Sequence, residues 1–294
     1  MSRCGFIAVL GAPNAGKSTL VNALVGSKVT IVSPKVQTTR HRILGVVLEG
    51  ETQLVLIDTP GIFTTPKGRL EKSMVRNAWG SLSDADGLMV MIDCTRKNFD
   101  ETDAILERLV KYEKHAVLAL NKIDLLPREE LLALAARFSG PFIDQIFMIS
   151  ALKGDGIEAI KHFWKDKLPE GPWLFPEDQL SDLPLRLLAA EITREEIFHR
   201  LHQELPYAIW VETEGWENFK NGSVKITQTI FVQRDSQRSI VLGEGGRQIK
   251  AIGAAARKQL TQVVEQPVHL FLHVKVKSGW HDDPRLYASV GLDF

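Results

Sequence analysis

Gly11-Ala12-Pro13-Asn14-Ala15-Gly16-Lys17-Ser18 is the stretch on which the reading of this chain turns. It follows directly on an apolar run, residues 6–10, and precedes residues 19–25, which have a helical pattern. A strand, a glycine-rich turn and a helix in that order gather backbone N–H groups and the positive end of a helix dipole around one point, which is an anion site. The string fits G-x-x-x-x-G-K-[ST], where the lysine bridges outer phosphate oxygens and the final hydroxyl holds Mg²⁺. Residues 11–18, with Thr19 one place further on, are the expected phosphate cradle, Lys17 the catalytic cation and Ser18 a metal ligand.

Further along, apolar runs at 54–57, 87–92, 116–120 and 145–149 alternate with amphipathic stretches such as 103–112 and 128–138. Buried strands spaced by helices predict a mostly parallel, doubly wound α/β sheet, the fold of a P-loop nucleotide-binding domain. Residues 44–48 and 53–57, joined by Glu49-Gly50-Glu51-Thr52, predict a hairpin that adds one antiparallel edge strand.

Sheets of this kind bind ligands beyond the C-terminal ends of their strands. Asn121-Lys122-Ile123-Asp124 falls at such an end, and a carboxylate at Asp124 can accept two hydrogen bonds from the N1–H and exocyclic amine of guanine. Adenine offers neither, so guanine is favoured over adenine. Ser150-Ala151-Leu152 ends another apolar run, and the Ala151 N–H is expected to donate to guanine O6. Asp58-Thr59-Pro60-Gly61, followed by Ile62, lies between the phosphate and base motifs; Asp58 would orient Mg²⁺ through water and the Gly61 N–H would sense a γ-phosphate. Upstream, Gln37-Thr38-Thr39-Arg40 offers a threonine to complete the metal shell only while that phosphate is present. Thr39 is the expected ligand and Thr38 its competitor.

The chain has 294 residues, with 36 basic and 36 acidic side chains and 44% hydrophobic residues, which is ordinary globular composition. Two domains are expected from that length. Cys4 and Cys94 are too few for a disulfide framework or a zinc cluster, and a reduced cytoplasmic setting fits them. No apolar stretch is long enough to span a bilayer. Four prolines within residues 168–184 mark a break in regular structure, giving expected boundaries of 1–170 for the nucleotide domain, 171–184 for a linker and 185–294 for a smaller α+β domain.

In that second domain Gly243-Glu244-Gly245-Gly246 precedes a predicted helix on which Arg247, Lys250, Arg257 and Lys258 share one face while Ile249, Ile252, Ala256 and Leu260 share the other. A G-x-x-G loop at a helix start can clamp a nucleotide backbone. The last predicted strand, residues 268–277, alternates Val268, Leu270, Leu272, Val274 and Val276 with His269, Phe271, His273, Lys275 and Lys277. The second set offers ring and cation surfaces for bases and phosphates. Trp280 either stacks on a base or caps the core. The net charge of zero hides a local excess: residues 220–277 hold ten basic side chains against three acidic ones, a patch suited to nucleic acid and offset by acidic neighbours such as Glu191, Glu195 and Glu196.

The motifs GAPNAGKS, QTTR, DTPG, NKID and SAL, in this order and with the linker LPEGPWLFPEDQLSD and the tail VKVKSGW, resemble the bacterial Era-type GTPases. The resemblance implies a GTPase that cycles between GTP and GDP with Mg²⁺, followed by a type II KH domain that binds the 3′ end of 16S ribosomal RNA in assembly of the 30S subunit. It also implies a cytoplasmic monomer with a peripheral inner-membrane pool, and a K⁺ ion beside the phosphates that Asn14 would help to hold. KH loops favour a basic residue within G-x-x-G, whereas this chain has Glu244. The Ile62 side chain, where Ras-like enzymes carry a water-orienting glutamine, can neither donate nor accept a hydrogen bond, so slow intrinsic turnover stimulated by K⁺ or by an RNA partner is expected. Arg40 stands either as an internal arginine finger or as a solvated switch residue. The alternative to the RNA-binding switch is a GTP-gated interaction module at the membrane surface with hydrolysis as a timer. A nucleotide-dependent modification enzyme is a weaker reading, because residues 185–294 carry no nucleophile–base constellation.

Overall fold

The computed structural model describes residues 2–35, 38–40, 42–62, 69–80, 83, 85–201, 205–280 and 283–284. Gln37 of the switch motif lies outside the described residues. The chain divides into two compact units, the second comprising Ile31–Lys35 and the described chain from Leu183 onward.

The first unit is built on β1 (Arg3–Gly11), α1 (Lys17–Val25), β2 (Ile43–Glu49), β3 (Thr52–Asp58), α2 (Arg69–Gly80), β4 (Gly87–Asp93), α3 (Asp100–Lys111), β5 (Ala116–Asn121), α4 (Arg128–Phe138), β6 (Ile143–Ile149) and α5 (Ile157–Lys167). The sheet runs β2-β3-β1-β4-β5-β6, with β2 antiparallel to β3 and every other pair parallel. Both expectations, the doubly wound sheet and its antiparallel edge, are met. Every residue of β4 is buried because helices cover both faces of the sheet. Successive residues of β1 point to opposite faces. Ile7 and Val9 pack in one cluster with Leu20 and Leu24 of α1 and Ile160 and Trp164 of α5; Ala8 and Leu10 pack in the other with Ile105 of α3 and Leu131 of α4. Gly87 is fixed by this packing, since a Cβ there would lie 2.4 Å from the Trp164 ring.

The proline-rich segment is fastened rather than loose. The Gln53 side chain, fully buried, accepts the N–H groups of Leu174 and Phe175 at 2.9 and 3.0 Å and donates to the Phe175 carbonyl at 2.8 Å. Further on, the Val46 N–H donates to the Leu180 carbonyl at 2.9 Å and the Leu44 N–H to Asp182 Oδ1 at 2.8 Å. Leu180 and Asp182 thus take up backbone groups on the outer side of β2, the end strand of this sheet among the described residues.

The second unit contains α6 (Leu185–Arg200), β7 (Trp210–Asn218), β8 (Val224–Val232), α7 (Asp235–Leu242), α8 (Arg247–Val264) and β9 (Val268–Val276). Its sheet runs β7-β8-β9, the first pair antiparallel and the second parallel. Two details differ from the sequence, whose patterns predict strands at 207–212 and 224–233 and then only a glycine-rich turn before a helix at 247–263. The first strand instead starts at Trp210, with a 3₁₀ turn at Leu205–Ala208 before it. Residues expected to form only a turn before the G-x-x-G loop contain α7, whose Val241 is fully buried beside Ile252 of α8 and Ile230 of β8.

Candidate functional site

The phosphate loop is shaped by backbone conformation before any side chain acts. Gly11 and Gly16 have φ values of +150° and +99°, and Asn14 sits at +62°. A Cβ at Gly16 would lie 2.2 Å from Asn121 Nδ2, and one at Gly11 would lie 2.6 Å from the Met91 carbonyl oxygen. Both positions require glycine on conformation and on space. A glycine-rich loop that runs from a strand straight into the start of a helix, as this one does into α1, is the arrangement that receives an anion.

Lys17 is buried, 6% exposed, and its ammonium donates to the carbonyls of Gly11 and Ala12, both at 3.0 Å. Burial pushes its pKa down to about 8, against the opposing pull of Asp58. A cation held by only two neutral carbonyls in a dry loop is poised to exchange them for anionic oxygens.

Around Asp58 three hydroxyls converge. Oδ2 accepts from Ser18 Oγ at 2.8 Å, from Thr30 Oγ1 at 2.9 Å and from Thr39 Oγ1 at 3.3 Å; Ser18 and Thr39 are themselves 2.9 Å apart. Thr39, rather than its competitor Thr38, is the threonine whose hydroxyl is shown beside Ser18 and Asp58. Asp58 Oδ1 is buried and has no hydrogen-bond partner among the described residues. Burial pushes the Asp58 carboxyl above its usual range despite those donors. A fully enclosed carboxylate with one oxygen unsatisfied, next to two hydroxyls, is a donor set that suits a hard divalent cation such as Mg²⁺. Asp58, Ser18 and Thr39 fit that ion.

The chain after Asp58 is pinned to the phosphate loop. Thr59 Oγ1 donates to the Val9 carbonyl at 2.7 Å, and the Ile62 N–H donates to the Gly11 carbonyl at 3.2 Å. A Cβ at Gly61 would lie 2.9 Å from Pro13 Cα, so Pro60-Gly61 can pass this close only without a side chain. Ile62 turns its side chain into the core with Ala8, Leu10 and Val90. Its place as a non-polar substitute for glutamine therefore has a packing reason. Arg40 is enclosed at 2% exposure, which removes the solvated-switch reading.

Asn121 joins the phosphate and base regions. Its Nδ2 donates to the Ala15 carbonyl at 2.9 Å and its Oδ1 accepts the Ala151 N–H at 3.0 Å. This corrects the expectation for Ala151: its N–H is engaged in tying two loops together. Lys122 adopts φ +67° and its ammonium lies 2.5 Å from Asp93 Oδ2. Asp124 remains near the surface, its carboxyl held below the usual range by Ser150 and then by Lys153, whose Nζ lies 3.3 Å away. Leu152 is 85% exposed. These contacts tie residues 11–18 to Asp58, Gly61 and Ile62 on one side and to Asn121 on the other, and Asn121 in turn to Ala151.

It also shows residues the motifs did not reveal. Arg96 donates to the Pro13 carbonyl and pairs with Glu101 at 2.6 Å, bracing the phosphate loop from β4's end. Thr30 joins the Asp58 cluster although no motif covers it.

In the second unit Gly243, Gly245 and Gly246 have φ values of +68°, +59° and +75°. A Cβ at Gly243 would strike Gln248 at 2.7 Å, while Gly245 has open space beside it, so the loop is closed on one side and accessible on the other. Arg247, Lys250, Arg257 and Lys258 are exposed along α8, and Ile252, Ala256 and Leu260 are buried beneath them. Glu244 pairs with Arg247, Lys275 with Glu214 at 3.1 Å, and Lys277 with Asp283 at 2.6 Å. Glu195 and Glu196 do not offset the patch from the surface: both are buried on α6, Glu195 accepting the Val32 N–H at 2.8 Å and Glu196 pairing with Arg200. Trp280 is corrected as a base-stacking candidate. It is fully enclosed, its Nε1 donating to the Ala208 carbonyl at 3.1 Å and its ring 5.7 Å from that of Trp210.

Comparison with known proteins finds a match in each unit. Residues 6–122 match the family model described as 50S ribosome-binding GTPase, and residues 204–281 match the KH domain model. GTPase Era of Afipia carboxidovorans is 58% identical over 294 residues, all of this chain and 95% of that protein; GTPase Era of Rhizobium meliloti is 56% identical over all of this chain and 94% of that one. Among solved structures, Era in complex with MgGDPNP and nucleotides 1506–1542 of 16S ribosomal RNA superimposes with a TM-score of 0.92 at 38% identity, covering 99% of each chain. A single-residue variant of Aquifex aeolicus Era bound to GDP and aluminium fluoride gives 0.91 at 38% identity, over 98% of this chain and 99% of that one. With these motifs, this site geometry and full-length similarity at these identities, the chain belongs to the Era family of GTPases.

Proposed function

We propose that this protein hydrolyses GTP to GDP and phosphate with Mg²⁺, and that it binds the 3′ end of 16S ribosomal RNA through residues 185–294 as a switch in assembly of the 30S subunit. The observation that carries this is the coexistence in one chain of the hydrogen-bonded Ser18–Thr39–Asp58 cluster and an open G-x-x-G loop leading into a basic helix. Residues 1–170 are the GTPase domain and 171–184 the linker in this reading.

Within it, residues 11–19 wrap the phosphates with their backbone N–H groups, Pro13 having none, Lys17 exchanges its two carbonyls for phosphate oxygens, and Asp124 reads the base beside Asn121 and Lys122. Ser18 and Thr39 would hold Mg²⁺ and Asp58 would do so through water; the bound ion would neutralise charge on the oxygens of the transferred phosphoryl group. Thr39 takes this place only when the switch segment is ordered, which links phosphate state to conformation. With Ile62 packed in the core, the attacking water is left to backbone groups such as the Gly61 N–H, and Asn14 would help to hold a K⁺ ion that supplies positive charge beside the phosphates. The RNA is held by Gly243, Gly245, Gly246, Arg247, Lys250, Arg257, Lys258, Lys275 and Lys277. The protein acts as a cytoplasmic monomer, with a peripheral pool at the inner membrane; no helix among the described residues is long and apolar enough to cross a membrane.

The deciding experiment is a single-turnover GTPase assay with and without an RNA fragment ending in the small-subunit 3′ sequence, in KCl and in NaCl. Faster hydrolysis with that RNA and with K⁺ supports the whole reading. Equal rates in the two salts remove the K⁺ part, and the absence of RNA binding returns the protein to the GTP-gated interaction module.

The G-x-x-G assignment has its own test. Gly245→Asp places a carboxylate on the open side of the loop, at a φ of +59° that aspartate tolerates better than most residues. RNA affinity is expected to fall by about ten-fold or more, the effect of one misplaced charge at a phosphate clamp, while the melting temperature changes little. Unchanged affinity would mean that RNA does not use this loop.

A further inference from the structure

Asp58 draws its donors from three residues, but two of them, Ser18 and Thr39, are spoken for as metal ligands. The third, Thr30, is fully buried and donates its hydroxyl to Asp58 Oδ2 at 2.9 Å. No sequence motif contains Thr30, and it lies too far from the phosphate loop in sequence to be placed by α1 alone. What places it is Asn22, on the second turn of α1. Asn22 Oδ1 accepts the N–H groups of both Val29 and Thr30, at 2.9 and 3.0 Å, and Asn22 Nδ2 donates to the Thr30 carbonyl at 2.8 Å. One amide side chain therefore grips the backbone on both sides of the Thr30 α-carbon. The grip is reinforced at its base, where the Gly26 N–H caps α1 on the Asn22 carbonyl at 2.9 Å.

We infer that Thr30, aimed by the Asn22 clamp, is a positioning residue that fixes the Asp58 carboxylate for the metal shell. A carboxylate is free to turn about its Cβ–Cγ bond unless one oxygen is anchored. Ser18 and Thr39 cannot serve as permanent anchors, because their oxygens must also face the cation and Thr39 leaves when the switch segment does. Thr30 lies outside the switch motif and is held by the Asn22 clamp. Its bond holds Oδ2 and with it the orientation of the whole carboxylate, whose Oδ1 has no partner among the described residues. The role is distinct from ligation: Thr30 acts through Asp58 and touches neither nucleotide nor metal.

The inference rests on Ser18, Thr39 and Asp58 being the metal shell, and the test separates the two ideas. Release of a fluorescent GDP would be followed as Mg²⁺ is raised from an EDTA baseline, for the full chain and for Thr30→Val, Thr30→Ser and Asn22→Ala. If the unsubstituted protein shows no slowing by Mg²⁺, the metal-shell reading itself fails. Given that slowing, Thr30→Val is expected to need about ten-fold more Mg²⁺ for half its effect, the range for one charge-assisted hydrogen bond, with release in EDTA unchanged. Thr30→Ser should restore the midpoint to within about two-fold, since it keeps the hydroxyl. Asn22→Ala should move the midpoint in the same direction as Thr30→Val, and reports on the clamp even where the valine variant fails to fold. A wild-type midpoint in Thr30→Val, or a serine variant that behaves like the valine one, overturns the inference. So does a change of release in EDTA as large as that in Mg²⁺.

Discussion

Lys17→Ala is expected to lower single-turnover GTP hydrolysis by about a thousand-fold, the loss seen when a preorganised charge aimed at a transition state is removed. The structure gives a reason for so large an effect. Lys17 is 6% exposed and held by two neutral carbonyls, so the protein bears the cost of a desolvated ammonium before nucleotide arrives. With a folded pKa near 8 against 10.5 in the open chain, that cost is about 3 kcal/mol at pH 7. Phosphate oxygens restore the lost solvation at the moment the nucleotide binds. The same displacement fixes the direction of two pH effects. Between about pH 8 and 10.5 the unfolded chain keeps a proton that the folded, nucleotide-free chain has released, so stability rises with pH through that window. Nucleotide binding raises the pKa again and takes up a proton, so affinity falls as pH climbs above about 8. Urea denaturation at pH 7.5 and 9.5, and calorimetry of GDP binding in buffers of different ionisation enthalpy, would read the two effects. In Lys17→Ala both should disappear.

The second large effect is expected at the base. Asp124→Asn keeps the size of the side chain, but exchanges one acceptor oxygen for a donor that meets the guanine N–H groups head-on. Guanine-nucleotide affinity should fall by about 100-fold or more, since a charged acceptor of two hydrogen bonds is lost. Xanthine carries a carbonyl where guanine has its amine and can accept from the new amide, so xanthosine diphosphate should bind the variant better than it binds the original protein. Competition of the two diphosphates against a fluorescent GDP measures both changes. The carboxyl is held in its ionised form by Ser150 and then by Lys153, which keeps it a full acceptor at every pH used for such assays. A variant that still preferred guanine by its original margin would move base recognition away from Asp124.

Much of this site could be read before any coordinate was seen, because its chemistry depends on residues that must be close in sequence. Glycines at φ values of +150° and +99° around a lysine and a hydroxyl can only be spaced as residues 11–18 are. The order of strand ends then collects Asp58, Asn121 and Ser150 without further information, since a parallel sheet brings all its C-terminal ends to one side. What stayed hidden are contacts between residues that no local pattern couples. Thr30 meets Asp58 only through a loop closed by Asn22, and Arg96 meets Pro13 across 83 positions of chain. Ala151 looked free to meet a base, yet the loop geometry gives its N–H to Asn121. Helix α7 escaped because eight residues with a short apolar spacing, ended by Gly243, look like a turn until Val241 is seen packed against Ile252. Trp280 follows a flexible Ser-Gly pair, and only the position of Ala208 and Trp210 determines that its ring is enclosed.

The fastening of residues 173–182 along β2 bears on how this protein can be divided. An edge strand left bare offers a row of unpaired N–H and C=O groups to any other chain, and so invites sheet extension between molecules. Here Leu180 and Asp182 occupy the β2 backbone at Val46 and Leu44, and Gln53 locks the segment before them. The prolines that break its regular structure also keep it from becoming a further strand that would itself need covering. A fragment cut at the end of α5 would contain every nucleotide-binding residue and still be a poor sample of the GTPase, because it would carry a sticky edge that the intact chain keeps sealed. The segment that looks in sequence like a mere connector serves the sheet as its hem.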